Sequence, residues 1–349
     1  MIFMNRKKIA FYKIAFYLCI LFIFCDNLAH SFVQYTLSQG RFGDQLLAYA
    51  KAQYIANLYH IPLLYTPFKH AELIELHYAQ LPYAEYYKNS FLQEIVINRE
   101  SCINRSDKNF LYTVNLSTKH KDITNLDSIA LYVLQNKKYG QKIKKMLTPH
   151  VPLHIIDWPK DCITVALHVR KPSGYDTSLT SKQFYDINVY KNLQPTLIEK
   201  KGTMPSDKRY PHKFPPDQYY IDQIHLLATL FPEKKLYVYL FTDYHDPQEL
   251  VELYKPHIHG DHITLTCHAK EQQQYTRFID DYYNMSQTDC LIRASSNFSR
   301  AAQLIGDHKI VIYPKSTHWY GDAVIVEEVW ILSVDHITKQ YTIRPHGIF

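Results

Sequence analysis

Three short polar segments interrupt otherwise apolar stretches of the chain: GRFGDQ at 40–45, HVRK at 168–171 and ASSNFS at 294–299. In the second, the apolar run ITVALHV carries His168 and is followed at once by Arg170 and Lys171. A guanidinium holds a phosphate or diphosphate through two parallel N–H donors and stays charged at any working pH, which suits a leaving group that gains negative charge. The same arginine could instead pair with a carboxylate on a neighbouring loop. In the third segment Ser295, Ser296 and Ser299 stand at the start of a helical pattern. One serine there caps the free amides, whereas several in succession make a nest of hydroxyl and N–H donors for phosphate. In the first, Gly40 and Gly43 bracket Arg41 and Phe42 ahead of Asp44 and Gln45. The glycines let backbone approach a ligand closely, and the helix that follows aims its N-terminal amides at the same space.

Each segment needs an element to present it. The β-prone residues 32–37, the glycine turn, a helix with Leu47, Ala50, Tyr54 and Leu58 at helical spacing, and a second strand from Ile61 to Tyr65 read as a βαβ opening. Residues 66–150 alternate without a repeat, and Lys137 to Lys145 read as a solvated helix face. From Ile163 the pattern is regular. Strands are expected at Ile163 to Val169, Leu236 to Thr242, His262 to Thr266, Cys290 to Arg293 and Lys309 to Tyr313. Helices are expected at Pro216 to Leu230, Pro247 to Tyr254, Gln274 to Ser286 and Phe298 to Ile305. Such a series implies a parallel sheet with helices on both faces, and two such halves make an α/β protein with a cleft between them. In open parallel sheets ligands bind beyond the carboxyl ends of the strands, where all three polar segments fall. The proline-rich, cationic stretch 201–218 reads as a long irregular loop.

The 349 residues, 46% of them hydrophobic, leave room for two domains with substantial cores. Arg6, Lys7, Lys8 and Lys13 precede an apolar run from Ile14 to Cys25, and Ala29-His30-Ser31 resembles a cleavage site. That layout reads as a signal peptide, or as a signal anchor if the apolar run extends back to Ile9. Its removal would lower the formal charge from +6 to +3, so the basic balance does not indicate nucleic acid, and the 30 tyrosines are scattered rather than grouped as base-stacking platforms. Cys102, Cys162, Cys267 and Cys290 are widely spaced beyond the leader, and read equally as disulfides or as buried thiols. His257, His259, His262 and His268 have no recognised metal-ligand spacing.

Taken in order, these segments resemble the GDP-fucose-dependent fucosyltransferases of the alpha-1,2 and protein O-fucosyltransferase group. GRFGDQLLAYAKAQYIA is similar to their N-terminal glycine motif, VALHVRK to their HxRR strand end, and LYVYLFTDYHD to their strand ending in Ser/Thr-Asp. DYYNMSQTDCLIRASSNFSRAAQLI followed by KIVIYPKSTHW resembles most closely the alpha-1,2 enzymes. The match covers most of Phe32 to Trp319, apart from the middle of the N-terminal half.

The resemblance implies a GT-B fold, with two Rossmann-like domains and a cleft between them. Its divisions would be a leader over 1–31, an acceptor-side domain over 32–155 and a GDP-sugar-binding domain over 156–349. It implies inverting transfer of L-fucose from GDP-fucose to a hydroxyl of a glycan or glycoconjugate acceptor, with no cofactor and no bound metal. Arg170 would stabilise departing GDP, with His168 and Lys171 beside it. Ser295, Ser296, Phe298 and Ser299 would line the donor pocket and Asp243 would close it. Gly40, Arg41, Phe42, Gly43 and Gln45 would face the fucosyl end. The leader implies a membrane-associated or secretory-pathway protein. The chain departs from the family at Lys171-Pro172, where a second arginine and then Gly-Asp are usual, and at Asp44, where asparagine is usual. Asp44 is therefore a candidate general base for the acceptor hydroxyl. Two alternatives stay open: another GDP-sugar as donor, and a non-catalytic sugar-nucleotide or glycan-binding protein on the same fold.

Overall fold

The computed structural model describes residues 31–37, 40–79, 93–97, 110–114, 126–171, 211–268, 278–320, 323–334 and 341–347. These fall into two compact units. The first runs to Ile129 without residues 73–75; the second holds Leu73–Glu75 and the described chain from Ala130 onward. The leader, apart from Ser31, lies outside the described residues, as do Cys102 and positions 172–210. No helix among the described residues is long and apolar enough to cross a membrane.

The first unit contains β1 (Phe32–Tyr35), α1 (Phe42–Tyr59), α2 (Leu76–Ala79), β2 (Gln93–Ile97) and β3 (Phe110–Val114). The strands form a parallel sheet in the order β1-β3-β2. The expected second strand, Ile61 to Tyr65, is corrected to an isolated bridge between Val33 and Leu63. Pro62 has no N–H to donate to a ladder, although its carbonyl accepts from Val33 N–H at 2.9 Å. Strand β3, from the stretch that sequence periodicity left unassigned, is β1's ladder partner instead.

The second unit holds α3 (Leu126–Gln135), counted by most of its length, and α4 (Lys137–Leu147). Then come β4 (Cys162–Val169), α5 (Asp217–Leu230), β5 (Lys235–Thr242), α6 (Pro247–Tyr254), β6 (Ile263–Cys267), α7 (Phe278–Ser286), β7 (Cys290–Arg293) and α8 (Asn297–Ile305). Strands β8 (Ile310–Tyr320), β9 (Ala323–Val334) and β10 (Tyr341–Gly347) complete a seven-stranded sheet in the order β10-β9-β8-β7-β4-β5-β6. The sheet is not wholly parallel, as the βα series predicts, but mixed: β9 adds antiparallel to β8, and β10 adds antiparallel to β9. Strand β8 outruns its expected end at Tyr313 because its ladder to β9 continues through register shifts at Pro314 and Ser316, and proline followed by polar residues masks that continuation.

At the centre, β4 runs parallel to both β5 and β7, and every residue of it after Cys162 is buried. That double burial explains the unbroken apolar reading of ITVAL. Ile163, Val165, Leu167 and Val169 pack on one face against Tyr219, Tyr220 and Ile224 of α5 and Leu250 and Val251 of α6. His168 lies on the other, in register with Phe241 and Arg293. Cys162, Cys267 and Cys290 are free thiols, the last two buried.

Candidate anion-binding site

From β4 the chain moves outward through β5 and β6, then returns to the other side of β4 as β7 and continues to β8. Loops leaving the carboxyl ends of β4 and β7 therefore part in opposite directions, and such a switch point is where open α/β sheets bind ligands. Arg170 follows β4 and Ala294-Ser295-Ser296 follow β7, so the structure brings these two sequence-predicted segments together.

Half-buried Arg170 donates from its backbone N–H to Tyr220 Oη at 3.3 Å and from Nη1 to Ser296 Oγ at 3.4 Å. Its guanidinium lies 5.4 Å from the centre of the Phe214 ring. Ser296 occupies the N-cap of α8, yet its side chain makes no capping bond. Its hydroxyl accepts from Arg170 instead, and no side chain of the cap residue shields the first-turn amides. The Ser299 hydroxyl, fully buried, donates to the Ser296 carbonyl at 3.3 Å, and Ser295 N–H donates to the His212 carbonyl at 3.1 Å. That last bond fastens a 3-10 turn, Pro211–Lys213, against the serine turn. Phe298 sits with its ring 6.2 Å from buried His168 and 6.1 Å from Tyr282.

Two predicted donor residues are placed differently. Lys171 is only 8% exposed and forms an ion pair with Asp217, the first residue of α5, whose same carboxylate oxygen also accepts from Tyr254 Oη. Burial pulls the Lys171 amine below its ordinary range, with Asp217 opposing. Asp243 follows β5 on the far side of β4 and is exposed. Burial drives the Tyr220 phenol far above its usual value, and the charges of Asp217 and Asp243 add to that rise.

The glycine turn belongs to the first unit. Gly40 and Arg41 are exposed, Asp44 is half-buried, and Phe42, Gly43 and Gln45 are buried. Gln45 Nε2 donates to the Gly40 carbonyl at 3.0 Å, Asp44 N–H donates to the Arg41 carbonyl at 2.9 Å, and the Phe42 ring packs on Phe68. A Cβ at Gly40 would overlap the Asp44 side chain, so the close approach of the carboxylate requires glycine there.

Sequence reasoning missed Arg293, which is 1% exposed. It donates from Nε to Gln303 Oε1 at 3.0 Å and from Nη1 to the Ala294 carbonyl at 3.2 Å, and its guanidinium lies 4.1 Å from the Tyr313 ring centre. Tyr219 Oη donates to its carbonyl at 3.1 Å. It thereby fixes the turn that presents Ser295 and Ser296. The signal was the one that marked Arg170, a cation ending an apolar strand. His212, Phe214 and Tyr220 carried no such signal. Among the described residues no group of three or more His, Cys, Asp or Glu could hold a metal ion.

No protein-family model matches the chain, and no curated protein does. Among solved structures it is similar to POFUT1 in complex with GDP-fucose, at 14% identity and TM-score 0.39 over 79% of this chain and 94% of that one. It is similar to Arabidopsis thaliana FUT1, a variant in complex with GDP, at 14% identity and TM-score 0.44 over 84% and 71% of the two chains. It is also similar to the fucosyltransferase NodZ from Bradyrhizobium, at 14% identity and TM-score 0.39 over 81% and 95%.

Proposed function

We propose that the protein is a metal-independent glycosyltransferase that moves L-fucose from GDP-fucose to a hydroxyl of a glycan acceptor with inversion at C1. The observation that carries this reading is the meeting of Arg170 with Ser296 and the first turn of α8 at the switch point of the sheet. The choice of fucose and of a glycan acceptor rests on the sequence motifs. As the acceptor oxygen bonds to C1, the bond from C1 to the β-phosphate oxygen breaks and its electron pair leaves with GDP. The Arg170 guanidinium and the α8 amides face the charge that develops, and donors aimed at such charge are the largest single source of rate in many enzymes. Asp44 is assigned as the base that takes the acceptor proton. Buried His168 and half-buried Phe298 form the wall beside the serine turn.

The test is transfer by the full-length protein in detergent, with a panel of GDP-sugars and glycan acceptors and with EDTA present, beside Arg170→Ala and Asp44→Asn. Transfer from GDP-fucose with an inverted anomeric product is expected, and Arg170→Ala is expected to slow it by about a hundredfold to a thousandfold. Binding of GDP-sugar without transfer would make this a binding protein. Full turnover in Arg170→Ala would remove the assigned role of that arginine, and an unchanged pH profile in Asp44→Asn would remove that of Asp44.

A further inference from the structure

Lys171 occupies the position beside Arg170 from which a second cation would reach the diphosphate, but its amine is committed to Asp217. Turning it toward a ligand would leave the Asp217 carboxylate without its lysine, and separating a buried ion pair is costly. A different cation approaches the same place. Arg300 is in the first turn of α8, its N–H bonded to the Ser296 carbonyl at 3.0 Å, while the Ser296 hydroxyl accepts from Arg170. Helical side chains lean toward the helix N-terminus, so Arg300 leans back toward the serine turn. Its Nε is buried and makes no hydrogen bond.

The turn tied to Ser295 brings His212 and Lys213. Burial first, then Arg300 and then Lys213 hold the His212 imidazole below its ordinary value. No acidic residue occurs in the first turn of α8. Cations at a helix N-terminus face the positive end of the dipole, and like charges in company add to that cost. An anion bound among them reverses both effects. We infer that Arg300, rather than Lys171, supplies the second cationic contact to the diphosphate, approaching it from the helix side while Arg170 approaches from the strand side. Lys171 is then a positioning residue that anchors the start of α5, from which Tyr220 holds the Arg170 backbone.

The inference rests on the proposed GDP-sugar site, and calorimetric titration of the full-length protein with GDP, GMP and inorganic pyrophosphate separates the two. Arg300→Gln is expected to weaken GDP and pyrophosphate by roughly tenfold to a hundredfold, the range for a hydrogen bond to a charged group, and GMP by less. Arg300→Lys, which keeps the charge and guards against a folding defect, is expected to recover part of the loss. Lys171→Met is expected to lower the melting temperature and, in the folded protein, to weaken GDP by less than Arg300→Gln does. GDP affinity unchanged in Arg300→Gln but lost in Lys171→Met would overturn the inference and leave the donor site standing. Pyrophosphate binding that depends on Arg300, without any preference for GDP, would retire the guanosine donor and keep the role of Arg300. Failure of the wild-type protein to bind any of the three would sink both.

Discussion

The amino and carboxyl ends of β4 and β7 treat charge in opposite ways. At the amino ends Asp289, Lys309 and His308 have internal partners. Asp289, just before β7, accepts from Thr164 N–H and Thr164 Oγ1, both at 3.0 Å, and pairs with Lys309 at 2.6 Å. His308, before β8, is buried and bonds through Nδ1 to the Thr288 carbonyl at 2.9 Å. The family-like stretch DYYNMSQTD serves this region as well, since Asn284 accepts from Ile156 N–H at 3.0 Å and donates to the His154 carbonyl at 2.8 Å. At the carboxyl ends, Arg170, His212, Lys213 and Arg300 gather around one helix N-terminus. One end closes the sheet through internal pairs and hydrogen bonds, and at the other basic side chains meet at a helix N-terminus.

The largest test of that contrast is Lys171→Met, because Lys171 is a cation at the carboxyl end that pairs internally as Lys309 does at the amino end. Loss of its amine strands Asp217 and should cost about 3 kcal/mol of stability, read by denaturant unfolding. Next comes Asp289→Asn. Burial raises the Asp289 pKa, but Lys309 and the two Thr164 bonds outweigh it and hold it below the ordinary carboxylate value. A depressed folded pKa contributes stability above the unfolded value and loses it as pH falls through the folded one. The variant should therefore be less stable than wild type by about 2 kcal/mol at neutral pH, and melting curves should converge below the carboxylate range.

His308 should show a smaller effect near neutrality. Burial lowers its imidazole from 6.5 to about 4, against the bond to Thr288. Its contribution is complete above pH 6.5 and lost progressively as pH falls toward 4, so His308→Asn should flatten the fall in melting temperature over that window. The smallest expected effect has the opposite sign. Arg300→Gln relieves like-charge crowding and should stabilise the ligand-free protein by about 0.5 kcal/mol. Destabilisation instead would show that Arg300 is neutralised within the fold, and the contrast would fail.

Much of this unit was legible before any tertiary contact was known. Helix α6 and strand β7 fall where periodicity puts them, and β4, α5, β5, β6 and α8 lie within a residue or so. The antiparallel strands β9 and β10, and the partnership of β1 with β3, were not. A strand's existence follows from its own residues, whereas its neighbour is set by segments far along the chain. The same division runs through the site. The apolar run and the serine cluster announced Arg170, Ser295 and Ser296, but the strap carrying His212 and Phe214 lies in a stretch that composition marks only as irregular.

By itself the amino-acid sequence determined that an arginine would stand at the end of a buried parallel strand and serines at the start of a helix, because both follow from local alternation and helical spacing. Only the tertiary structure decided which cations gather there. Lys171 and Arg170 are neighbours of like charge in sequence, yet Asp217, 46 positions away, claims the lysine, while Ser296, 126 positions away, meets the arginine. Which charge is spent on the fold depends on what packs beside it in three dimensions, and no pattern along the chain encodes that packing.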